Sequence, residues 1–287
     1  MTTKFLYFAG LLVLFCATSI LAQTQTMRVT TYNIRYDNKS DTVNAWQKRL
    51  PVIADLVQFH DFDIFGTQEV QHHQLEGMAK ALPGYGYIGV GRDDGKQAGE
   101  YAAVFYKKDK YKLLKQGNFW LSETPEKPGK GWDADFPRVC TWGQFRDQQS
   151  GLEFYLFNVH FDHRGEKARQ ESVKLMQQKI KEIAKSAPVI LTGDFNFSQK
   201  DEKYKAMSAG SNLTAAFQLA EKRYAHRGTF NGFEATRQTD ERIDHIWLSP
   251  GFKVTRYGIL TDTYANGLFP SDHFPVMAEV KFEAKKK

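Results

Sequence analysis

The stretch RVCTWGQFRDQQSGLEFYLFNVHFDH (138–163) reads as strand almost throughout. It is rich in Val, Thr, Phe, Tyr and Trp, the residue types that fit a pleated, half-buried surface. A second strand-rich stretch covers 84–120, whereas the chain before it alternates strands with helices. Alternation along the whole chain would give a doubly wound parallel sheet. Long strand-rich stretches in the middle suit two packed sheets flanked by helices instead. The expected fold class is therefore α+β.

The remaining apolar, β-rich runs are MRVTTYNI (27–34), FDIFGTQE (62–69), EYAAVFYK (100–107), PVILTGDFN (188–196), RIDHIWLS (242–249) and DHFPVMAEV (272–280). Helices are expected in three intervals. In WQKRLPVIADLVQF (46–59), Leu50, Ile53, Ala54 and Val57 share one face, and in EKARQESVKLMQQKIKEIAK (166–185), Val173, Met176, Ile180 and Ile183 do the same. HHQLEGMAKAL ahead of Pro83 reads as a shorter helix. GRDDGKQAG (91–99) and NFWLSETPEKPGKGWDADFPR (118–138) are rich in Gly, Pro and charge and read as surface loops.

The chain has 287 residues, 41% hydrophobic and 14% aromatic, enough for a sizeable core. Its first segment, MTTKFLYFAGLLVLFCATSILAQTQT, places Lys4 ahead of an apolar run from Phe5 to Ala22. That is the layout of a secretory signal peptide cleaved after Ala22. Ile20 is larger than the residue usual two places before a cut, and the run approaches a membrane span in length, so an uncleaved anchor is the alternative. The expected organisation is a signal peptide over 1–22 and a single domain over 23–287, exported to the periplasm or secreted. The mature chain keeps only Cys140, so an intramolecular disulfide is excluded. The net charge of +6 falls to about +5 on removal of Lys4, which suits an anionic substrate or simply a solvated basic surface.

Polar residues sit at or near the ends of the expected strands: Asn33, Glu69, Glu100, His160, Asp194, Asn196, Asp244, Asp272 and His273. Each alone has a structural explanation, such as a turn residue in GDFN or a core histidine satisfied by backbone. One cleft at the end of the sheets explains all of them together. Acids, amides and histidines without a usable thiol suit Mg²⁺, Mn²⁺ or Ca²⁺ ahead of zinc. No GxxxxGK[ST] or GxSxG motif is present, and the GxGxxG match GYGYIG (84–89) lies in a strand-rich stretch with no helix expected after it, which argues against nucleoside-triphosphate, serine-hydrolase and dinucleotide chemistry. Carboxylates around a hard cation, with histidines nearby, are the parts that hydrolyse a phosphate ester.

The ordered series TYNI, QEV, NVHFDH, GDFN, DHIW and SDHFPV resembles the endonuclease/exonuclease/phosphatase superfamily, over Met27 to about Phe282. The deadenylase and sphingomyelinase branches are nearest in motif style. The resemblance implies a four-layer α/β/β/α sandwich of the deoxyribonuclease I type, in accord with two packed sheets. It makes Glu69 the principal Mg²⁺ ligand, with Mn²⁺ as the alternative metal, and Asn33 and Asp272 the rest of the metal side, directly or through water. It makes Asp194 the group that positions or deprotonates the attacking water, and Asn196 a holder of that water and of the phosphate. His273, oriented by Asp244, would stabilise the phosphoryl group, His160 would be a second phosphate contact, and Glu100 would orient His160. Arg138 is a candidate for a flanking phosphate, as is Arg169, for which a helix-face ion pair is the stronger expectation. Asp162 and His163 are candidates for the pocket rim, and Trp120 and Trp132 for stacking.

The expected function is an exported, metal-dependent phosphoesterase. Phosphodiesters of nucleic acid or phospholipid are favoured. The alternatives are a phosphomonoesterase for sugar, inositol or nucleotide phosphates and a catalytically silent anion-binding protein. A pocket closed by 118–138 would favour a monoester; an open basic trough would favour a nuclease. No protein partner is evident, and a monomer is expected.

Overall fold

The computed structural model describes residues 26–283, so the segment read as a signal peptide lies outside the described residues. In chain order the first strands are β1 (Met27–Asn33), β2 (Ile64–Gln68), β3 (Tyr85–Ile88), β4 (Val104–Lys107), β5 (Tyr111–Trp120), β6 (Val139–Asp147) and β7 (Glu153–His160). They are followed by β8 (Val189–Asp194), β9 (Thr214–Ala215), β10 (Ala220–Tyr224), β11 (Asp244–Leu248), β12 (Phe252–Ile259) and β13 (Val276–Phe282). The helices are α1 (Trp46–Phe59), α2 (His72–Ala81), α3 (Glu166–Ala184), α4 (Glu202–Ser211) and the single turn α5 (Ala216–Leu219).

The strands form a seven-stranded sheet, ordered β10-β12-β13-β1-β2-β4-β3, and a six-stranded sheet, ordered β5-β6-β7-β8-β11-β9. Both are mixed. β1 runs parallel to β2 and antiparallel to β13, while β7 runs parallel to β8, which is antiparallel to β11. Apolar residues fill three interfaces. Val29, Ile64, Phe145, Phe154, Leu156, Ile190 and Ile246 pack between the sheets. α1 and α2 cover the first sheet through Ile53, Val57, Leu75 and Met78, and α3 covers the second through Val173, Met176 and Ile180. The fold is the α+β sandwich expected. Among the described residues no helix is long and apolar enough to cross a membrane.

Some boundaries differ from the sequence reading. DHFPVMAEV enters its strand only at Val276, because Pro275 has no N–H to give a ladder. Asp272 and Phe274 are instead tied to a neighbouring loop: Asn231 and Gly232 N–H donate to the Asp272 carbonyl, and Phe274 N–H donates to that of Thr229. EYAAVFYK likewise pairs as a strand only from Val104. The segment 118–138 is not a surface loop at either end. Trp120 closes β5 with its ring buried and its Nε1–H donating to the Arg92 carbonyl (2.6 Å), and Arg138 is buried too. Helix α4 gave no clear pattern because it buries only Lys203, Tyr204 and Met207.

Near the middle of the interface between the sheets lies a polar knot. Asn158 of β7 donates through Nδ2 to the carbonyls of Thr67 (2.9 Å) and Ala103 (3.0 Å) in the other sheet's half of the molecule. Its Oδ1 accepts from Gln68 Nε2 (2.8 Å) and Thr192 Oγ1 (3.0 Å). All four hydrogen-bonding positions of the amide are used, so the buried group is fully satisfied. Gly66 makes room for it: a Cβ there would meet Asn158 Oδ1 at 2.1 Å.

Asn158→Ala is expected to strip partners from Gln68, Thr192 and the Thr67 carbonyl, lowering stability by about 3 kcal/mol and Tm by about 6–12 °C. Calorimetry of the purified variant checks this; a fall of less than about 2 °C would show that the knot is not what holds the sheets in register.

Candidate active site

The topology gathers strand ends from both sheets at one edge. Asn33 closes β1, Glu69 follows β2, and Asp272 and His273 precede β13, all in the first sheet. From the second, His160 and Asp194 close β7 and β8 in direct register, and Asp244 opens β11 opposite Asp194. Just past these ends, Arg35 (φ 61°), Glu69 (φ 63°) and Asn196 (φ 50°) adopt left-handed backbone conformations. Non-glycine residues rarely do so, and each needs its surroundings to hold it there. Arg35 N–H donates to Asn33 Oδ1, and Asn196 N–H to Asp194 Oδ1, both at 3.0 Å. Glu69 accepts from Asn33 Nδ2 (3.1 Å) and Tyr36 N–H (3.2 Å).

These ends open into a pocket of about 690 Å³. Glu69, Glu100, Arg138, His160, Asp194, Asn196, Asp272 and His273 line it, as do Arg35, Arg92, Phe136 and His163. Asn33 and Asp244 lie buried behind the wall. Of the other candidates, Asp162 anchors Arg138 at 3.3 Å, while Arg169 donates to the Asp162 carbonyl and pairs with Glu166 on α3. Trp120 and Trp132 are not part of the lining.

His273 and Asp244 form a buried pair, with Nδ1 and Oδ2 2.9 Å apart. Burial pulls the imidazole's pKa down, but the Asp244 carboxylate outweighs it, so His273 stays protonated well above the usual histidine range. Nδ1–H then donates to Asp244, and Nε2–H faces Asp194 Oδ2 at 3.8 Å. His160 shows the reverse balance. Burial, with Arg138 and Arg92 beside it, holds it well below the usual range and hence neutral. Its Nε2 lies 3.6 Å from Asp194 Oδ2. Burial and the nearby Asp244 charge push Asp194 up to about 7, and burial pushes Asp272 up to about 6 with Glu69 adding to it.

Two sequence expectations need correction. Glu100 was expected to orient His160, but its carboxylate is 3.9 Å from Nδ1, too long for a hydrogen bond. It is engaged by Arg92 Nη1 at 2.6 Å. Asn33 was expected on the metal side, directly or through water, but it turns its nitrogen, not its oxygen, towards the acids. Its Nδ2 bridges Glu69 Oε1 and Asp194 Oδ2, both at 3.1 Å, while Oδ1 is taken by Arg35 N–H. The sequence reading passed over Arg35, Arg92 and Phe136. Arg92 and Phe136 sit in irregular segments where no periodicity marks a side chain as inward-facing.

The donor set fits a hard divalent cation. Glu69 and Asp272 present carboxylate oxygens to the pocket, and the raised pKa values of Asp194 and Asp272 express an excess of buried negative charge that a cation would offset. Asp194, Asp244 and His273 also bring ligand atoms within 4.8 Å of one another. The last two are hydrogen-bonded to each other and Asp244 is fully buried, whereas Glu69 and Asp272 line the pocket, so these are the better-suited ligands.

Comparison with known proteins adds four findings. A family model described as "Endonuclease/Exonuclease/phosphatase family" matches residues 30–273. A mannosyl-6-phosphatase of Bacteroides thetaiotaomicron is 52% identical, with a TM-score of 0.87 over 89% of this chain and 100% of its own. A Bacteroides thetaiotaomicron protein of the same family is 51% identical, with a TM-score of 0.89 over 92% and 100% of the two chains. Human nocturnin is more distant: 24% identical over 83% of this chain and 58% of nocturnin.

The His273–Asp244 pair makes a signed prediction. A histidine with a raised folded pKa contributes stability that is complete below the unfolded value, about 6.5, and is lost as pH rises through the folded value. Asp244→Asn is expected to move the His273 imidazole titration, followed by NMR, to markedly lower pH. The Tm difference between wild type and variant should be largest in mild acid and narrow as pH rises. An unmoved titration would mean that Asp244 does not set the charge of His273.

Proposed function

The chain belongs to the Endonuclease/Exonuclease/phosphatase family, hydrolases of phosphate esters, and from that premise we propose a metal-dependent phosphomonoesterase for sugar phosphates of the mannose 6-phosphate kind. The observation that carries this reading is the loop wall beside the strand ends. Arg92 and Glu100 from one irregular segment, and Phe136 and Arg138 from another, wall the strand ends into a pocket of about 690 Å³. That is the size class of small-molecule sites, and an open trough would suit a nucleic acid better. The 52% identity to a mannosyl-6-phosphatase along that protein's full chain supports the same choice. We therefore favour the monoester alternative of the sequence analysis over its diester reading.

Mg²⁺, or Mn²⁺ in its place, would be held by Glu69 and Asp272; when bound it would polarise a phosphoryl oxygen and offset developing charge. The rest is supplied by the chain. Asp194, with its raised pKa and its Oδ1 fixed by Asn196 N–H, takes the proton of the attacking water. Protonated His273 presents Nε2–H to the phosphoryl oxygens, where Asp244 keeps it charged and aimed. Neutral His160 contributes a further donor, its Nε2 lying 3.6 Å from the same Asp194 Oδ2 that His273 faces. Arg138 lines the pocket and contributes its positive charge to the substrate's anionic end. Its Nε and Nη2 are held by Asp162 and His163. We also propose export, supported by the sequence of residues 1–22 alone.

The test measures hydrolysis of mannose 6-phosphate and bis(p-nitrophenyl) phosphate with Mg²⁺ and with EDTA. The monoester is expected to react faster, EDTA to abolish turnover, and His273→Ala to cost about 10²–10⁴ in kcat. Faster diester cleavage would return the protein to the nuclease or phospholipid reading. Independently of turnover, Mg²⁺ at about 100 Kd should stabilise the folded protein by about 2.7 kcal/mol. The Tm rise should vanish in Glu69→Gln; an equal rise in that variant would place the metal elsewhere.

A further inference from the structure

Building on the monoesterase reading, we infer that Phe136 forms the leaving-group subsite, an apolar wall that receives the carbon skeleton of the sugar and selects ring substrates over open-chain ones. Among the described residues, the exposed large apolar side chains are Val43, Phe59, Tyr87, Phe136, Leu219 and Tyr224. Phe136, at 45% exposure, is the only one of these that lines the catalytic pocket. An apolar ring left in water inside a polar pocket gains by covering itself with a ligand's carbon atoms.

The other pocket aromatics, Phe230 and Tyr36, are only partly exposed. Phe230 packs edge-on against His273 with centroids 5.1 Å apart and carries the Arg237 guanidinium over its ring, also at 5.1 Å. Tyr36 lies under the guanidinium of Arg35, 4.5 Å away.

Phe136 is held in place before any ligand arrives. Its N–H and that of Asp135 both converge on Asp162 Oδ2, at 3.4 and 3.1 Å. Burial would push the Asp162 carboxyl up, but N–H donors from Gly165 and Arg164, with Arg138 beside it, hold it at about 2, so the anchor is charged throughout the working range. Around the ring, Arg92 stands 5.0 Å from its centroid and His163 stacks at 6.1 Å. Arg92 in turn is clamped to Glu100, which faces His160. A run of contacts therefore joins the phosphate-side histidine to Phe136 along one wall of the pocket. A wall fixed in this way costs little ordering on binding.

The experiment compares wild type, Phe136→Ala and Phe136→Tyr on mannose 6-phosphate and on glycerol 3-phosphate, which has no ring. Phe136→Ala is expected to lower kcat/KM for the sugar phosphate about 10-fold more than for glycerol phosphate, chiefly through KM, as loss of one aromatic contact does. Phe136→Tyr should restore the preference. Equal losses on both esters, or no loss on either, in a variant with wild-type Tm would overturn the subsite and leave the monoesterase reading standing. If wild type hydrolysed neither ester, that reading would fall, and the subsite with it.

Discussion

The Asn158 side chain holds one sheet against the other, and the site depends on that alignment. Its amide joins β7 to the Thr67 and Ala103 carbonyls and to Gln68, so neither sheet can slide without breaking buried hydrogen bonds. Apolar packing between the sheets supplies adhesion, but it is not directional and tolerates small shifts. The catalytic geometry does not. Asn33 and His273 come from the first sheet, and their partners Asp194 and Asp244 from the second, at 3.1 and 2.9 Å. A slip of one ångström would undo both contacts, and a satisfied polar network in a low-dielectric interior resists such a slip.

The same meeting of strand ends concentrates acids. Glu69, Asp194, Asp244 and Asp272 converge, and the last three are buried. Burial alone would protonate some of them. The structure divides the problem. Asp244 is neutralised by protonated His273, Asp272 is partly offset by Arg35 at 3.5 Å, and Asp194 is left with a raised proton affinity. Two histidines within reach of one carboxylate thus differ in protonation: His273 has an acid behind it and is charged, whereas burial and two arginines keep His160 neutral. Environment, not residue type, assigns their chemistry.

The sheet framework and the strand-end residues were legible in the sequence because each strand carries its own local pattern. TYNI, GDFN and DHIW pair a β-rich run with a polar terminus, and burial of the run forces that terminus to the sheet edge. The helix faces around Ile53 and Met176 were legible for the same reason. The Glu100–Arg92 pairing was not, since it depends on how an irregular segment folds back over β5. Nor was the inward turn of the Asn33 nitrogen, which answers two acids distant in sequence. Phe136 was hidden because exposed and buried aromatics look alike in a loop; Trp120 and Trp132 were the more conspicuous choices, yet neither lines the pocket.

These hidden residues bear most directly on substrate. In the proposed mechanism the strand ends supply water activation and phosphate charge stabilisation, which any phosphate ester requires, so they do not discriminate among esters. Discrimination falls to what stands beyond the phosphate: Arg92, Phe136, Arg138 and His163, all on segments outside the sheets. Their anchoring converges on Asp162, which binds Arg138 and the Asp135, Phe136, Arg164 and Gly165 N–H groups. One buried carboxylate just past β7 thereby fixes the wall to the strand that carries His160. Substrate shape and phosphate chemistry are held in a common frame, although the wall belongs to loops that can vary while the sheets stay constant.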